Sequence, residues 1–314
     1  TKPRVSDKIF RGVVTAGGLS SLVILGLILI YLTYQGYDVL KSQGISFITG
    51  SAWEVIADES GNIDYNQTKF GLAAMLIGTI LCATTAVVIA VPISVLAALY
   101  LSFYAPAAVR KFMVAIIDLM AAFPSVLFGI WGFFVLMPSA EYWAKLLNKY
   151  LGFLPFFDMQ VPVYTRSPFV AGVVLAIMII PIVTSISREI FGQTPLDRIQ
   201  AAYALGATRW AMIKAVVIPY GRSGVVGGAM LGLGRAMGET VAVYTVLNIV
   251  YQINWQVLLG AGGNVASMIL LKFGEAGDGE IKALMAAGLV LFILTLIVNS
   301  IADLIVKSSG AKGR

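Results

Sequence analysis

Charged residues, histidine and cysteine are scarce in this chain of 314 residues. Only 12% of the residues are charged, whereas an ordinary soluble domain carries about 25%. Histidine is absent and Cys82 is the single cysteine, which excludes intrachain disulfides, dithiol redox pairs and the usual zinc sites. Because Cys82 lies in an apolar run, we expect it to be a small buried hydrophobic residue. In contrast, 59% of the residues are hydrophobic and the mean hydropathy is +0.88, which predicts an integral membrane protein.

The motifs of nucleotide-binding and catalytic sites are also missing. The sequence has no phosphate-binding G-x-x-x-x-G-K-[ST] run, so we expect no ATP site in this chain. Gly232 and Gly234 could begin a dinucleotide fingerprint, but Met237 stands where its third glycine is required. Without histidine, the usual pairs of nucleophile and base cannot form. The sequence therefore predicts a chain that is not an enzyme and that takes its energy from a partner.

Six apolar stretches are long enough to cross a membrane as helices, since a span needs about 20 residues. The first is interpreted as a retained membrane anchor, because its apolar run is long for a secretory signal and no clear cleavage site follows. The predicted fold is all-α, with one polytopic transmembrane domain over residues 1–314. The predicted spans are residues 13–34, 70–103, 112–137, 169–186, 224–248 and 283–305, with a polar cytoplasmic loop at 188–222.

The charge-free run of residues 70–109 can hold one long helix or a hairpin that turns at Pro92. Lysine and arginine concentrate in the cytoplasmic loops of membrane proteins, so the charge distribution distinguishes the two topologies. One helix places fourteen Lys and Arg residues inside and seven outside, whereas a hairpin places nine inside and twelve outside. The sequence therefore predicts one long, kinked helix, and a multi-pass protein of the plasma membrane with both termini in the cytoplasm.

The loop at residues 188–222 has helix signals of its own. Thr194 is a suitable N-cap, Pro195 suits the first helical position, and Asp197 is an acidic residue in the first turn. Gly206 can adopt the left-handed conformation that ends a helix, and a second short helix is predicted to stop before Pro219. An ordinary amphipathic connector shows the same pattern, so the pattern alone assigns no function.

The predicted fifth span combines small residues with two charges. Arg235 and Glu239 are predicted to lie on its small-residue face, which must then contact protein rather than lipid. Two interpretations remain open. Either Glu239, with Asp118, neutralises Arg235 and holds helices together, or Arg235 offers its planar donors to a travelling tetrahedral oxyanion while both carboxylates weaken its hold. The small residues recur at every fourth position, as in closely packed membrane helices, and are Gly224, Gly228, Gly232 and Ala236.

Two stretches resemble a known family of transporters. Residues 200–207, Gln-Ala-Ala-Tyr-Ala-Leu-Gly-Ala, followed by Ile218 and Pro219, resemble the EAA loop of ABC-importer permeases, a cytoplasmic helix pair that docks into the ATPase subunit. Residues 228–240, which end in Gly-Arg-Ala-Met-Gly-Glu-Thr, narrow the resemblance to the phosphate-transport permease family PstC. Gln200 departs from the motif, which usually has Glu at that position. Further similarity lies in residues 122–125, 129–132, 175–181 and 193–195, and extends over most of the chain from about residue 70.

The resemblance implies a MetI-like ABC-permease fold and an assembly of several subunits. This chain would pair with a homologous PstA-like permease subunit, two copies of a PstB-like cytoplasmic ATPase and a PstS-like extracytoplasmic phosphate-binding protein. ATP and magnesium would be bound by the ATPase and by no site in this chain. The implied ATPase-coupling residues are Gln200, Ala201, Ala202, Gly206 and Arg209. The implied substrate-pathway residues are Arg235, Glu239, Asp118 and Thr240.

Two outer loops, residues 138–167 and 251–280, are rich in aromatic residues, Gly and Pro, and are long enough to fold as a docking surface for an external partner. Two alternative functions remain open beside phosphate import. One is a permease for another oxyanion such as sulfate or molybdate, and the other is a secondary anion carrier or channel that works without ATP. The second alternative leaves the helix signals of the 188–222 loop unexplained.

Overall fold

The computed structural model describes residues 5–56, 63, 64, 67–159 and 161–310. These residues form helices and one short antiparallel hairpin, which confirms the all-α prediction. The helices are α1 (Val5–Gln43), α2 (Ser46–Thr49), α3 (Ala73–Phe103), α4 (Ala107–Ala122), α5 (Ser125–Trp131), α6 (Met137–Leu151), α7 (Pro168–Gly192), α8 (Leu196–Ala204), α9 (Arg209–Met212), α10 (Ile218–Gly238), α11 (Val241–Val246), α12 (Val265–Phe273) and α13 (Asp278–Gly310). The strands are β1 (Trp53–Glu54) and β2 (Lys69–Phe70).

Six helical stretches of the described chain are long and apolar enough to cross a membrane, in agreement with the predicted number. The second is the single helix α3, which continues through Pro92 and so confirms one span rather than a hairpin. If all six stretches cross the membrane, Val5 and Gly310 lie on the same side as α8 and α9, here called the α8–α9 side; the opposite side is called the far side. Lys2, Arg4, Lys312 and Arg314, which entered the charge count, lie outside the described residues.

The third span differs from its predicted bounds of 112–137. A break at Phe123 and Pro124 separates α4 from α5, and Phe123 is extended with φ −67° and ψ 137°. The reason is local, because the ring of Pro124 disfavours a helical conformation at the residue before it. The spanning stretch therefore starts at Ser125, passes through a π-helical turn at Gly132–Leu136, and continues to Leu151. Residues 138–151 of the predicted outer loop at 138–167 are thus helical.

The centre of the bundle is formed by α3, α7 and α10, which pack closely through small residues. A Cβ added at Gly228 would lie 3.1 Å from Ile186, and one added at Gly172 would lie 2.5 Å from Thr85. Cys82 is fully buried in this core, as predicted. Lipid chains are as apolar as leucine, so close contact between helices stabilises such a bundle more than burial of apolar area does.

The first and last far-side loops contact each other around Glu280. The indole Nε1 of Trp53 donates a hydrogen bond of 2.8 Å to Oε1 of Glu280, and Lys272 forms an ion pair of 3.5 Å with the same oxygen. Burial, together with the nearby charge of Glu280, raises the pKa of Tyr251 to about 12. Asp58 and Glu59, in the first far-side loop, lie outside the described residues.

Candidate functional site

The fifth span ends earlier than its predicted end at residue 248. Helix α10 stops at Gly238, Glu239 is extended with φ −71° and ψ 127°, and α11 starts at Val241. Glu239 is 8% exposed, and its Oε1 accepts a hydrogen bond of 3.3 Å from the backbone N–H of Ala242. The carboxylate therefore accepts a hydrogen bond from one of the N–H groups at the start of α11 that have no partner within the helix.

Arg235 lies in the last turn of α10, and its side chain is exposed. Within the described residues it forms no ion pair or hydrogen bond, so the structure does not show the predicted pair with Glu239. The reason is that the helix ends at Gly238, so Glu239 leaves the helical spacing that would bring the two side chains together. The described residues therefore leave the donors of this guanidinium without a partner.

Arg235 also lies on a different face of α10 from the one predicted. The small-residue face that packs on α7 is buried at Gly228, Gly232 and Ala236. Arg235 instead belongs to an exposed stripe, in which Leu231 is 63% exposed. This stripe, called the α10 stripe below, consists of Ser223, Gly227, Leu231, Arg235 and Gly238.

The other two predicted pathway residues are placed separately. Asp118 is exposed on α4, a helix that packs mainly on α7, and it makes no ion pair with the described residues. Thr240 is partly buried at the start of α11, where its carbonyl accepts the N–H of Tyr244 at 2.9 Å. The structure therefore brings Glu239 and Thr240 together at one break, and does not bring Asp118 into an ion pair with Arg235.

Two short helices precede α10, as predicted, but their ends differ in detail. Thr194 does not cap α8: its Oγ1 donates to the carbonyl of Phe191, and Pro195 takes the N-cap position. Gly206 has φ +79°, and the N–H of Ala207 donates to the carbonyl of Ala202 at 3.1 Å, so α8 closes as expected.

The second short helix does not stop before Pro219. Helix α9 continues through a π-helical turn at Ile213–Val217 into α10, which gives one helical run over Arg209–Gly238. The wider turn just before the proline accommodates its missing N–H, which explains why Pro219 does not end the helix.

The implied coupling residues differ in what they contact. Gln200, Ala201 and Gly206 are exposed, whereas Ala202 is partly buried against a core that includes Met212. The exposed Arg209 donates from Nη1 to the carbonyl of Phe103 at 3.1 Å, and its guanidinium lies 5.3 Å from the ring centroid of Tyr104. Arg209 therefore ties the helix pair to the end of α3.

The helix pair exposes several large apolar side chains that sequence reasoning did not single out. Leu205 is 89% exposed and Trp210 is 56% exposed. A groove of about 530 Å³ runs between α8 and α10, and its lining includes Ala201, Leu205 and Tyr220. Exposed apolar surface beside a groove is typical of a protein docking site. No periodicity in the sequence indicated it, because the two helices are too short to show a repeating pattern.

On the far side, a cavity of about 470 Å³ opens between the third span, α11 and α12. Arg166 lines it, donates from Nη1 to Oδ1 of Asn248 at 2.9 Å, and has its guanidinium 5.1 Å from the ring centroid of Phe133. Its backbone has φ +53°, a conformation that costs a non-glycine residue ~1–3 kcal/mol. From the sequence alone, Arg166 is identified only as one of the seven positively charged residues of the outer loops, and no binding role is predicted for it.

Residues 90–310 match the family model described as binding-protein-dependent transport system inner membrane component. Two relatives called phosphate transport system permease protein PstC 2, from Mycobacterium bovis and Mycobacterium tuberculosis, are 41% identical over 302 residues. That similarity covers 95% of this chain and 91% of each relative. The phosphate transport system permease protein PstC of Xylella fastidiosa is 37% identical over 95% of this chain and 90% of its own length.

Solved structures of ABC transporters share the fold. A chain of a bacterial ABC transporter involved in the import of the acidic polysaccharide alginate superposes with a TM-score of 0.59 at 14% identity, and the match covers 98% of this chain and 99% of that chain. A chain of the inward-facing MetNI methionine ABC transporter has a TM-score of 0.51 at 20% identity, over 76% of this chain and 94% of that chain. At these identities the likeness concerns the fold alone, and it agrees with the predicted MetI-like architecture.

Proposed function

The chain belongs to the binding-protein-dependent transport system inner membrane components, and on this basis we propose that it is the permease subunit of an ATP-driven phosphate importer. The observation that carries the proposal is 41% identity over 302 residues to relatives named phosphate transport system permease proteins. The family match at residues 90–310 includes both the helix pair α8–α9 and Arg235. Neither alternative from the sequence has support of this kind.

We place the α8–α9 side in the cytoplasm and the far side outside. Counted over the whole sequence, fourteen Lys and Arg residues belong to segments on the α8–α9 side and seven to segments on the far side. Positive charge is retained on the cytoplasmic side during membrane insertion, which supports this orientation. Both chain termini are then cytoplasmic.

The helix pair is the contact for the ATPase. Its exposed apolar residues, among them Leu205 and Trp210, supply a surface that a soluble partner can bury. Because α9 continues into α10 without a break, a displacement of the helix pair reaches Arg235 through one continuous helical run. ATP-driven closure of two ATPase subunits would move this run and open the pathway to each side in turn.

The α10 stripe lines the pathway, with Arg235 as its anion-binding residue. Arg235 belongs to the candidate span Arg209–Gly238. An arginine in a membrane span is tolerated mainly when it meets a partner or a wet cavity, and the described part of the chain gives it no carboxylate. A homologous second permease subunit would cover the stripe and complete the other half of the pathway. The planar guanidinium can then hold two oxygens of a tetrahedral oxyanion. Thr240 lies at the adjoining break, and Glu239 holds that break in place.

The remaining components act at the two membrane surfaces. The folded far-side loops receive the phosphate-loaded binding protein, and the ATPase supplies the site for ATP and magnesium. This chain contributes no cofactor and no catalytic group of its own. Its part is to conduct the anion and to couple that movement to ATP hydrolysis in its partners.

Reconstitution tests the proposal directly. The four components are placed in liposomes with ATP on the α8–α9 side, and uptake of radiolabelled phosphate is measured with and without the binding protein. We expect uptake that requires ATP and the binding protein, and that unlabelled phosphate suppresses while sulfate and molybdate do not. Equal suppression by sulfate, or transport by this chain alone, would refute it.

A further inference from the structure

The far-side cavity contains a cationic group that the pathway around Arg235 does not account for. Arg166 and Asn248 lie together at this cavity, joined by the 2.9 Å hydrogen bond between Nη1 and Oδ1. That bond uses one of the guanidinium's five N–H donors and leaves the amide N–H groups of Asn248 available. Among the described residues that line the cavity, none is acidic.

The side chain of Arg166 has two contacts that orient it, and its backbone has an unusual conformation. Asn248 fixes one edge of the guanidinium, and the ring of Phe133 lies 5.1 Å from its central carbon. Its backbone is in the left-handed region, which a side chain of this size rarely adopts unless the surroundings require it. Residues on its C-terminal side are anchored too, since Ser167 caps α7 by accepting from Val170 at 3.4 Å. A surface arginine that served only solubility would need none of these contacts.

Helix α11 connects this cavity to the region of Arg235. Arg235 lies six residues before its first residue, Val241, and Asn248 lies two residues after its last, Val246; the six residues of the helix itself span about 9 Å. Tyr244, on this helix, lines the cavity and is 43% exposed. An anion that enters from the far side would therefore meet Arg166 first and Arg235 after passing along α11.

We propose that Arg166, oriented by Asn248 and Phe133, forms an outer binding site that receives the tetrahedral oxyanion before it reaches Arg235. The inference rests on the proposed function, because it presumes that the transported substrate is such an anion. Phosphate released from the binding protein is the ligand, and the guanidinium binds it through the donors that Asn248 leaves free. The cavity is large enough to admit the anion with part of its water shell.

The test compares Arg166→Asn with Lys41→Gln in the reconstituted four-component complex. Asparagine tolerates a left-handed backbone better than most residues, so Arg166→Asn removes the charge without adding strain. Lys41→Gln removes an exposed positive charge on the same side, outside the cavity. We expect phosphate transported per ATP hydrolysed to fall by about tenfold or more in Arg166→Asn, as charge-assisted hydrogen bonds are lost, and to stay near wild type in Lys41→Gln. Arg166→Lys should recover part of the loss, because it restores the charge without the planar donors.

Several results would overturn the outer site. Unchanged transport of phosphate per ATP hydrolysed in Arg166→Asn would do so. A raised KM for the binding protein with normal transport per ATP would also overturn it, because that result would assign Arg166 to docking of the binding protein. If Arg166→Asn fails to assemble, Arg166→Gly is measured, and failure of both variants would show a purely structural role. If Arg235→Gln loses uptake while Arg166→Asn keeps it, the outer site is overturned and the proposed function stays intact. A wild-type complex that takes up no phosphate would overturn both.

Discussion

Asn264 donates a hydrogen bond of 2.9 Å from Nδ2 to the main-chain oxygen of Glu239, which joins two segments 25 residues apart. Its Oδ1 accepts the N–H of Ser267 at 2.7 Å and so caps α12, while Glu239 caps α11. Asn264 is 1% exposed, so these groups have no access to bulk water. The break after α10 is therefore a fixed feature, and it determines where the helix that carries Arg235 ends.

Replacing Asn264 by serine should destabilise the protein by leaving the Glu239 carbonyl without a partner. Serine keeps a hydroxyl that can cap α12 but is too short to reach Glu239. We expect a loss of ~1–3 kcal/mol, the cost of one orphaned buried acceptor, measured as a lower melting temperature of the purified complex. Asn264→Ala removes both hydrogen bonds and should lower the melting temperature further. Equal melting temperatures for Asn264→Ser and the wild type would contradict this role.

Arg235→Gln should abolish phosphate uptake while the subunits still assemble. Glutamine can still form hydrogen bonds, but it lacks the positive charge and the bidentate contact of a guanidinium with the anion. Each charge-assisted hydrogen bond in that contact contributes ~1.5–3 kcal/mol. We expect uptake by the reconstituted complex to fall by about a hundredfold. Arg222→Gln is the matched control, because Arg222 is an exposed arginine of the same helix, and its uptake should stay within about twofold of wild type. Near-normal uptake by Arg235→Gln would leave this arginine without a transport role.

The sequence predicts the spans well because their signals are local and long. A charge-free run identifies α3 as membrane-spanning. The distribution of Lys and Arg between the loops correctly predicts that this run is one helix in spite of Pro92. The left-handed residue that ends α8 was also predictable, since Gly206 is the residue type that tolerates φ +79° at little cost.

The details around Arg235 could not be predicted in the same way. Helical periodicity assumes that a helix continues, but α10 ends at Gly238 because Glu239 and Asn264 satisfy the groups at the break. The bond from Asn264 links distant parts of the chain, and no spacing rule detects it. The contact between Arg166 and Asn248 is also long-range, across 82 positions, and Arg166 carried no motif.

Helix α10 should tolerate a large side chain on one face and not on the other. A Cβ at Gly224 would lie 2.6 Å from Ile190 on α7, whereas a Cβ at Gly227 would have nothing within 4 Å. Gly224→Leu should therefore force α7 and α10 apart, with a destabilisation of ~1–3 kcal/mol or more, and reduce the yield of folded monodisperse protein. Gly227→Leu should give a wild-type yield of this chain expressed alone. Equal yields for the two variants would show that α7 and α10 do not pack in this way.

The last prediction separates backbone strain from loss of docking at the helix pair. Gly206 has φ +79° and Gly44, on the far side, has φ +55°, and a Cβ at either position would meet nothing within 4 Å. Leucine at each position should therefore cost a similar ~1–2 kcal/mol through the left-handed backbone. Because the proposal places only Gly206 against the ATPase, Gly206→Leu should lower the amount of ATPase that co-purifies by about tenfold or more, as expected for a large side chain at the centre of an interface.

Gly44→Leu should retain the ATPase at the wild-type ratio, which shows that strain alone does not release it. Co-purification is measured with tagged chain and quantified ATPase, and the melting temperature of each variant verifies that the two are destabilised alike. If both variants lose the ATPase equally, the effect comes from instability of the chain. If neither does, the ATPase binds elsewhere, and the exposed side chains of Leu205 and Trp210 would need another partner.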